Sequence, residues 1–162
     1  MRSVKRIEKI AVQVVHIEKK RVVSADDAEY LLIDATEQRI QRPKKGQRKF
    51  FSGKKKDHTL KTQYVIGPDG KIYAVSGSYA GKIHDFNIYK DQKNRDRFLG
   101  IPKKVDNGYQ GIQKYDKNAE TPFKKPKNGK LTPEQKEYNR NFSKKRVKAE
   151  NVIGETKIFK IL

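Results

Sequence analysis

Tyr30-Leu31-Leu32-Ile33 runs straight into Asp34, and this short stretch constrains the fold more than any other. A strand that is apolar at consecutive positions has no polar face to offer water, so it belongs at the centre of a sheet covered on both sides by helices. An α/β architecture follows. A carboxylate at the end of such a strand faces the crevice where open α/β sheets bind their ligands.

Other segments read around that strand. Residues 58–66 and 71–76 flank Gly67-Pro68-Asp69-Gly70, where proline presets φ and glycine supplies a left-handed position, so a β-hairpin is expected there. With the first strand it makes a three-stranded antiparallel unit. Residues 84–99 suit a helix with Phe86, Tyr89 and Phe98 as apolar contacts, and Lys103-Lys104-Val105 suits a short strand leading into Asp106. Residues 113–131 read as a polar loop. Thr132-Pro133-Glu134-Gln135 then carries an N-cap threonine, a proline at the first helical position and a glutamine where a capping box needs it, so a helix is expected from Pro133 to about Phe159. Before the first strand, Val4, Ile7, Ala11, Val14 and Ile17 have the spacing of an amphipathic helix. Two regions follow: an N-terminal helical segment or remnant over 1–27, and one domain over 28–162.

Charge narrows the partners. Lysine and arginine number 39 against 19 acidic residues, a net charge of +20 over 162 residues, and so large an excess favours nucleic acid through phosphate attraction and counterion release. An anionic membrane surface is the weaker alternative. The chain has no cysteine, which excludes disulfides and thiolate metal sites and leaves oxygen or histidine to hold any metal. No apolar run approaches the roughly 18 residues of a membrane span, and no continuous apolar region follows the N-terminal charges as a secretory signal requires. The expected location is the cytoplasm, with the chromosome within reach.

Against this positive background three carboxylates stand out: Asp34, Asp106 before an Asn107-Gly108 turn, and Glu150 on the last helix. Arg146, Glu150 and Lys157 are spaced by four and eleven residues, which at about 100° per residue sets them within roughly 40° of one another. Phe142, Ala149, Ile153 and Thr156 form the neighbouring stripe that would pack on the sheet. Singly, each acid has an ordinary explanation: Asp106 in a turn, Asp34 pairing with a lysine, Arg146 and Glu150 as a surface pair. In combination, three converging carboxylates would bind hard cations such as Mg²⁺ or Mn²⁺, and two such ions can clamp the attacking and leaving oxygens of a phosphoryl transfer. His58 and His84 are open to a ligand role or to phosphate contact. The basic residues Lys54, Lys55 and Lys56, and those around Arg146, are either phosphate contacts or a solvated face.

The succession Leu32-Ile33-Asp34-Ala35-Thr36-Glu37, Phe51 to Lys61, Gly81-Lys82-Ile83-His84-Asp85, Asp106-Asn107-Gly108-Tyr109-Gln110-Gly111 and Arg146 to Gly154 resembles the catalytic domain of DDE-class insertion-sequence transposases and their Harbinger-type relatives. The resemblance covers about residue 28 to the C-terminus. It implies a ribonuclease H-like fold, a five-stranded mixed sheet of order 3-2-1-4-5 flanked by helices. It also implies that Asp34, Asp106 and Glu150 are the catalytic, metal-binding acids, that the cofactor is Mg²⁺ or Mn²⁺, and that Lys54, Lys55, Lys56, Arg146 and Lys157 contact DNA. The family's helix signature sets tyrosine, arginine, glutamate and lysine at intervals that Arg146, Glu150 and Lys157 match, with Ser143 in the tyrosine position. His84-Asp85 also resembles a family motif, which makes Asp85 the alternative second acid or a supporting group.

The activity implied is cleavage at the ends of a transposable element and transfer of the freed 3′-hydroxyl into target DNA, with a homodimer pairing the ends. The chain begins shortly before Asp34 and closes at Leu162 soon after Glu150. A frame-split second half or a decayed fragment is therefore expected. The rival reading is a basic nucleic-acid-binding protein without catalysis, which needs the charge but not the acids.

Overall fold

The computed structural model describes residues 28–92 and 98–158. The expected N-terminal helix, and the last residues of the chain, lie outside that range. Strand β1 (Leu31–Arg39) is followed by a single turn α1 (Gln47–Phe50), β2 (Phe51–Ser52), the long β3 (Asp57–Ile66), β4 (Ile72–Val75), β5 (Tyr79–Ala80) and helix α2 (Asp85–Asp91). After these come β6 (Lys103–Val105), two 3₁₀ turns (Asn107–Tyr109 and Ile112–Lys114), β7 (Ala119–Glu120) and helix α3 (Pro133–Ile158).

Seven strands among the described residues form one mixed sheet whose main path is β2-β3-β1-β6-β7, with β4 and β5 also on β3. The count and order differ from the five strands anticipated. Ten-residue β3 offers more edge than any one neighbour uses, so β2, β5 and β4 pair in turn with residues 57–58, 60–61 and 64–66. The two-residue strands β2 and β5 carry no periodicity a sequence could announce, whereas β4 falls within the expected hairpin. The antiparallel unit expected of β1 and the 67–70 hairpin is present, and Gly70 takes the left-handed φ of 87° that its turn requires. Strands β1, β6 and β7 are parallel neighbours.

Both faces of β1 are covered, as an apolar strand demands. Leu31 and Ile33 join Val65, Tyr89, Val105 and Tyr109 on one side, while Leu32 meets Tyr64, Ile66, Ala149 and Ile153 on the other. Full burial of each such aliphatic side chain stabilises by about 1.5–3 kcal/mol, so these two small clusters hold the layers together. Helix α3 supplies the second cluster through the stripe read from sequence: Phe142, Ala149 and Ile153 are buried, and the Thr156 hydroxyl lies 3.4 Å from that of Tyr64. Its start is a reciprocal capping box. The Gln135 amide donates to Thr132 Oγ1 at 3.2 Å and the Thr132 amide donates to Gln135 Oε1 at 3.1 Å.

Helix α2 is shorter than the 84–99 expected, ending at Asp91. Within the expected 113–131 loop lies β7, whose Ala119 pairs with Lys103. Lys103 is itself buried at 1% exposure, and its ammonium sits 2.6 Å from Asp116 while donating to the carbonyls of Phe98 and Ile101.

Candidate active site

Asp34 is the fourth residue of a nine-residue strand rather than its end. It marks instead the point where β1 loses its parallel neighbour. The last paired residues are Ile33 and Val105, so Asp34 and Asp106 are the next residues along two adjacent parallel strands, which lie about 4.8 Å apart. One strand continues, paired with β3 alone, and the other turns away at Asp106. That turn is held by the aspartate itself: Asp106 Oδ1 accepts from the Gly108 amide at 2.7 Å and caps the 3₁₀ turn.

Asp85 comes to the same turn from α2. A Cβ added to Gly108 would stand 2.9 Å from Asp106 Oδ1 and 3.1 Å from Asp85 Oδ2, so both carboxylates crowd one glycine. Lys61 anchors Asp85 from below, with its ammonium 2.8 Å from Asp85 Oδ1, 3.6 Å from Glu37 and donating to the Ile83 carbonyl at 2.8 Å. Glu37 and Lys61 are direct cross-strand partners. Burial alone would raise the Glu37 pKa, but hydrogen bonds from the Ser52 and Thr59 hydroxyls, with the charge of Lys61, hold it below its ordinary value.

Asp34 faces α3, on the same side of β1 as Leu32, and its Oδ2 lies 3.3 Å from the Arg146 guanidinium. Burial nonetheless dominates. It pushes the Asp34 pKa up to about 6, with Arg146 lowering it and the nearby charges of Asp106 and Asp85 raising it further. Tyr109 is held well above its ordinary value by burial and then by Asp85, Asp34 and Asp106. Its protonated phenol donates to Gln63 Oε1 at 2.9 Å. Three aspartates therefore share one electrostatic neighbourhood, with Arg146 and Lys61 as the cations that face them.

Glu150 lies one turn beyond Arg146 on α3 and is exposed. Arg146 thus turns to Asp34, which the helix spacing alone could not reveal. Among the described residues no three carboxylates or imidazoles are gathered tightly enough to hold one metal ion. In chemical kind the donors do fit one: oxygen ligands only, two of them on neighbouring positions of adjacent strands, and one a carboxylate whose pKa is raised first by burial and then by the charges of Asp106 and Asp85.

Beside these acids opens a cleft of about 400 Å³ whose lining includes Lys54, Lys55, Lys157, His84 and Asp85. It joins the loop before β3 to the far end of α3. Lys56 is exposed in the β2–β3 turn with a left-handed φ of 53° and is not part of that lining. His84 is exposed and precedes α2 as its N-cap residue. His58 packs edge-on against Phe51. Lys61 and Gln63 were missed in the sequence, because β3 is polar at all of its first seven positions except Leu60 and neither residue stands out there.

A group of aspartates on and beside the strands thus lies next to a lysine-lined cleft and a long basic helix, and comparison with known proteins gives the chain a family. The model for the DDE superfamily endonuclease matches residues 33–162, and the chain belongs to that family. More particularly, it is 47% identical over 146 residues to a probable transposase for insertion sequence element IS702 from Microchaete diplosiphon, a match that covers 89% of this chain and 52% of that protein. The chain thus spans about half the length of the curated relative it matches. No solved structure matches it. No helix among the described residues is long and apolar enough to cross a membrane.

Proposed function

We propose that this chain is the catalytic part of an insertion-sequence transposase, cutting DNA strands at element ends and joining them to target DNA. The observation that carries this is the adjacency of Asp34 and Asp106 at the point where β1 and β6 part, with the Asp34 pKa raised to about 6. Asp34, Asp106 and Glu150 would hold divalent cations, Mg²⁺ or Mn²⁺, probed as two per site. When bound, such ions supply Lewis-acid activation of the attacking and leaving oxygens at the phosphate.

The chain's own residues have separate tasks. Arg146 stands 3.3 Å from Asp34 and balances its charge, on a basic helix that would also offer the guanidinium to a DNA phosphate. Lys54, Lys55 and Lys157 hold the backbone across the cleft, Lys56 adds to the field from outside it, and Lys61 keeps Asp85 beside Gly108 as a positioning group. His84 stands at the cleft rim as a phosphate contact. A ribonuclease H-like fold is supported by antiparallel β3–β1 beside parallel β1–β6–β7, with α3 packed across one face. Residues 28–162 constitute the catalytic domain in this reading, two copies pair two DNA ends, and the work is done in the cytoplasm.

The test is nicking of supercoiled DNA with Mn²⁺ by the wild type against Asp34→Asn, Asp106→Asn, Glu150→Gln and Asp85→Asn. The first three are expected to fall by at least about 100-fold, as when one group that organises charge at a reacting centre is removed. Asp85→Asn is expected to retain part of the activity. If the wild type cuts no faster than the triad variants, this polypeptide is not a nuclease. One observation favours a second reading: Asp34 already has a protein cation, Arg146, at 3.3 Å, a partner that a purely DNA-binding descendant of the enzyme would keep.

A further inference from the structure

A second concavity, of about 850 Å³, adjoins the lysine-lined cleft and shares Gly53 and Lys82 with it. Its character is different. Glu37 and Asp85 line the first cleft, whereas the second has no acidic lining residue and contains Arg42, Arg48, Phe51, His58 and Lys82. Phe51 is 41% exposed. Its ring meets His58 edge-on, centroids 5.6 Å apart at 75°, so the imidazole buttresses the phenyl ring without stacking over it. Arg42 is tethered at the wall, its Nε donating to Gln47 Oε1 at 3.0 Å.

A single exposed ring is ordinary by itself, but this one stands in a concavity ringed by cations with no acidic lining residue, which restricts what can cover it. The cover must present a flat apolar or π face and carry negative charge on its flanks. A nucleotide does both. Bases in a duplex are already stacked on their neighbours, whereas an unpaired base offers a free face, and an aromatic platform beside basic side chains is the physical recipe for single-stranded nucleic acid.

We infer that the Phe51 concavity is a stacking site for one unpaired DNA base, with Arg42, Arg48 and Lys82 receiving its flanking phosphates. This rests on the reading of the chain as a DNA enzyme and extends it, since the shared Gly53 and Lys82 make the site continuous with the cleft beside the acids. A strand held in the cleft would have its next base taken out of the duplex and parked on Phe51. Pyrimidine and purine bases both have the required face, so the site selects unpaired over paired DNA rather than one sequence.

The experiment uses the whole chain in EDTA, with fluorescence anisotropy on a single-stranded oligonucleotide and on a blunt duplex of equal length, and with 2-aminopurine as the stacking reporter. Phe51→Ala is expected to weaken single-strand binding about 5- to 150-fold and to change duplex binding by less than about twofold, and it should restore the 2-aminopurine emission that the wild type quenches. Phe51→Leu, which keeps apolar bulk, should behave like alanine, and Phe51→Tyr like the wild type. Arg48→Ala should weaken both substrates and lower the salt slope by about one unit. Equal loss on both substrates for Phe51→Ala, or no quenching by the wild type, overturns the stacking site while leaving the nuclease reading intact. A wild type that binds neither substrate overturns both.

Discussion

Two regions of this molecule bury charge, and they do it in opposite ways. Around Lys103 the account closes: its ammonium meets Asp116 and two backbone carbonyls, and Asp116 also accepts from the Tyr89 hydroxyl at 2.9 Å. Around Gly108 it does not. Asp34, Asp85 and Asp106 gather against Arg146 and Lys61, Asp34 stays hard to ionise, and Gln63 Nε2 is buried without a hydrogen-bond partner. A saturated ion pair locks β6 to β7 and the segment before it, whereas an unsaturated one is poised to accept a ligand of positive charge.

The largest expected effect lies in the closed region. Lys103→Met leaves Asp116 buried without its cation and is expected to cost about 3–5 kcal/mol, read from the urea midpoint of the cation-free protein. Adding Asp116→Leu should recover most of that loss, because removing both charges removes the desolvation penalty. If the double variant is no more stable than the single one, the pair is not the closed unit described.

The open region should respond in the other direction. An acid whose folded pKa is raised from 3.8 to about 6 binds more protons in the native state, so its contribution to stability is present below about pH 4 and is lost as pH rises through about 6. The span corresponds to on the order of 3 kcal/mol. Asp34→Asn abolishes that dependence. In EDTA the stability of Asp34→Asn relative to wild type should therefore climb by up to this amount between pH 4 and pH 7, even though Arg146 loses its partner. A difference between the two proteins that stays flat over that range would mean that Asp34 ionises as easily as a surface aspartate.

Much of this contrast could be read from the residues, and the part that could not has a common cause. The run Tyr30 to Ile33, the turn at Gly67 to Gly70 and the capping box at Thr132 are local rules, and local rules survive folding. Arg146 was legible as a neighbour of Glu150 and of DNA, yet its contact with Asp34 depends on how α3 lies across the sheet. Lys61 and Lys103 were invisible for a different reason. In a chain with 39 basic residues any lysine reads as solvated, and only the pairing of β3 with β1, or of β6 with β7, decides which ones are buried. The positions of Asp34 and Asp106 in adjacent parallel strands lay between these cases, implied by a resemblance but fixed by register.

The smallest expected change in stability comes from Gly108→Ala, and it sharpens the contrast most. The new Cβ would stand 2.9 Å from Asp106 Oδ1 and 3.1 Å from Asp85 Oδ2, so the two carboxylates must yield by a few tenths of an ångström. Both belong to side chains that can rotate, and the loss of stability should stay near 1 kcal/mol, the low end of overpacking. Cation binding should be less forgiving, since Asp106 is one of the proposed ligands and Asp85 crowds it from the side, and affinity falls about 10- to 100-fold when the groups that orient ligands are disturbed. Mn²⁺ binding followed by electron paramagnetic resonance, with thermal unfolding of the same samples in EDTA, separates the two. Weakened Mn²⁺ binding at nearly unchanged unfolding temperature marks the turn as a ligand site, whereas a parallel fall in both would make it packing of the kind found around Lys103.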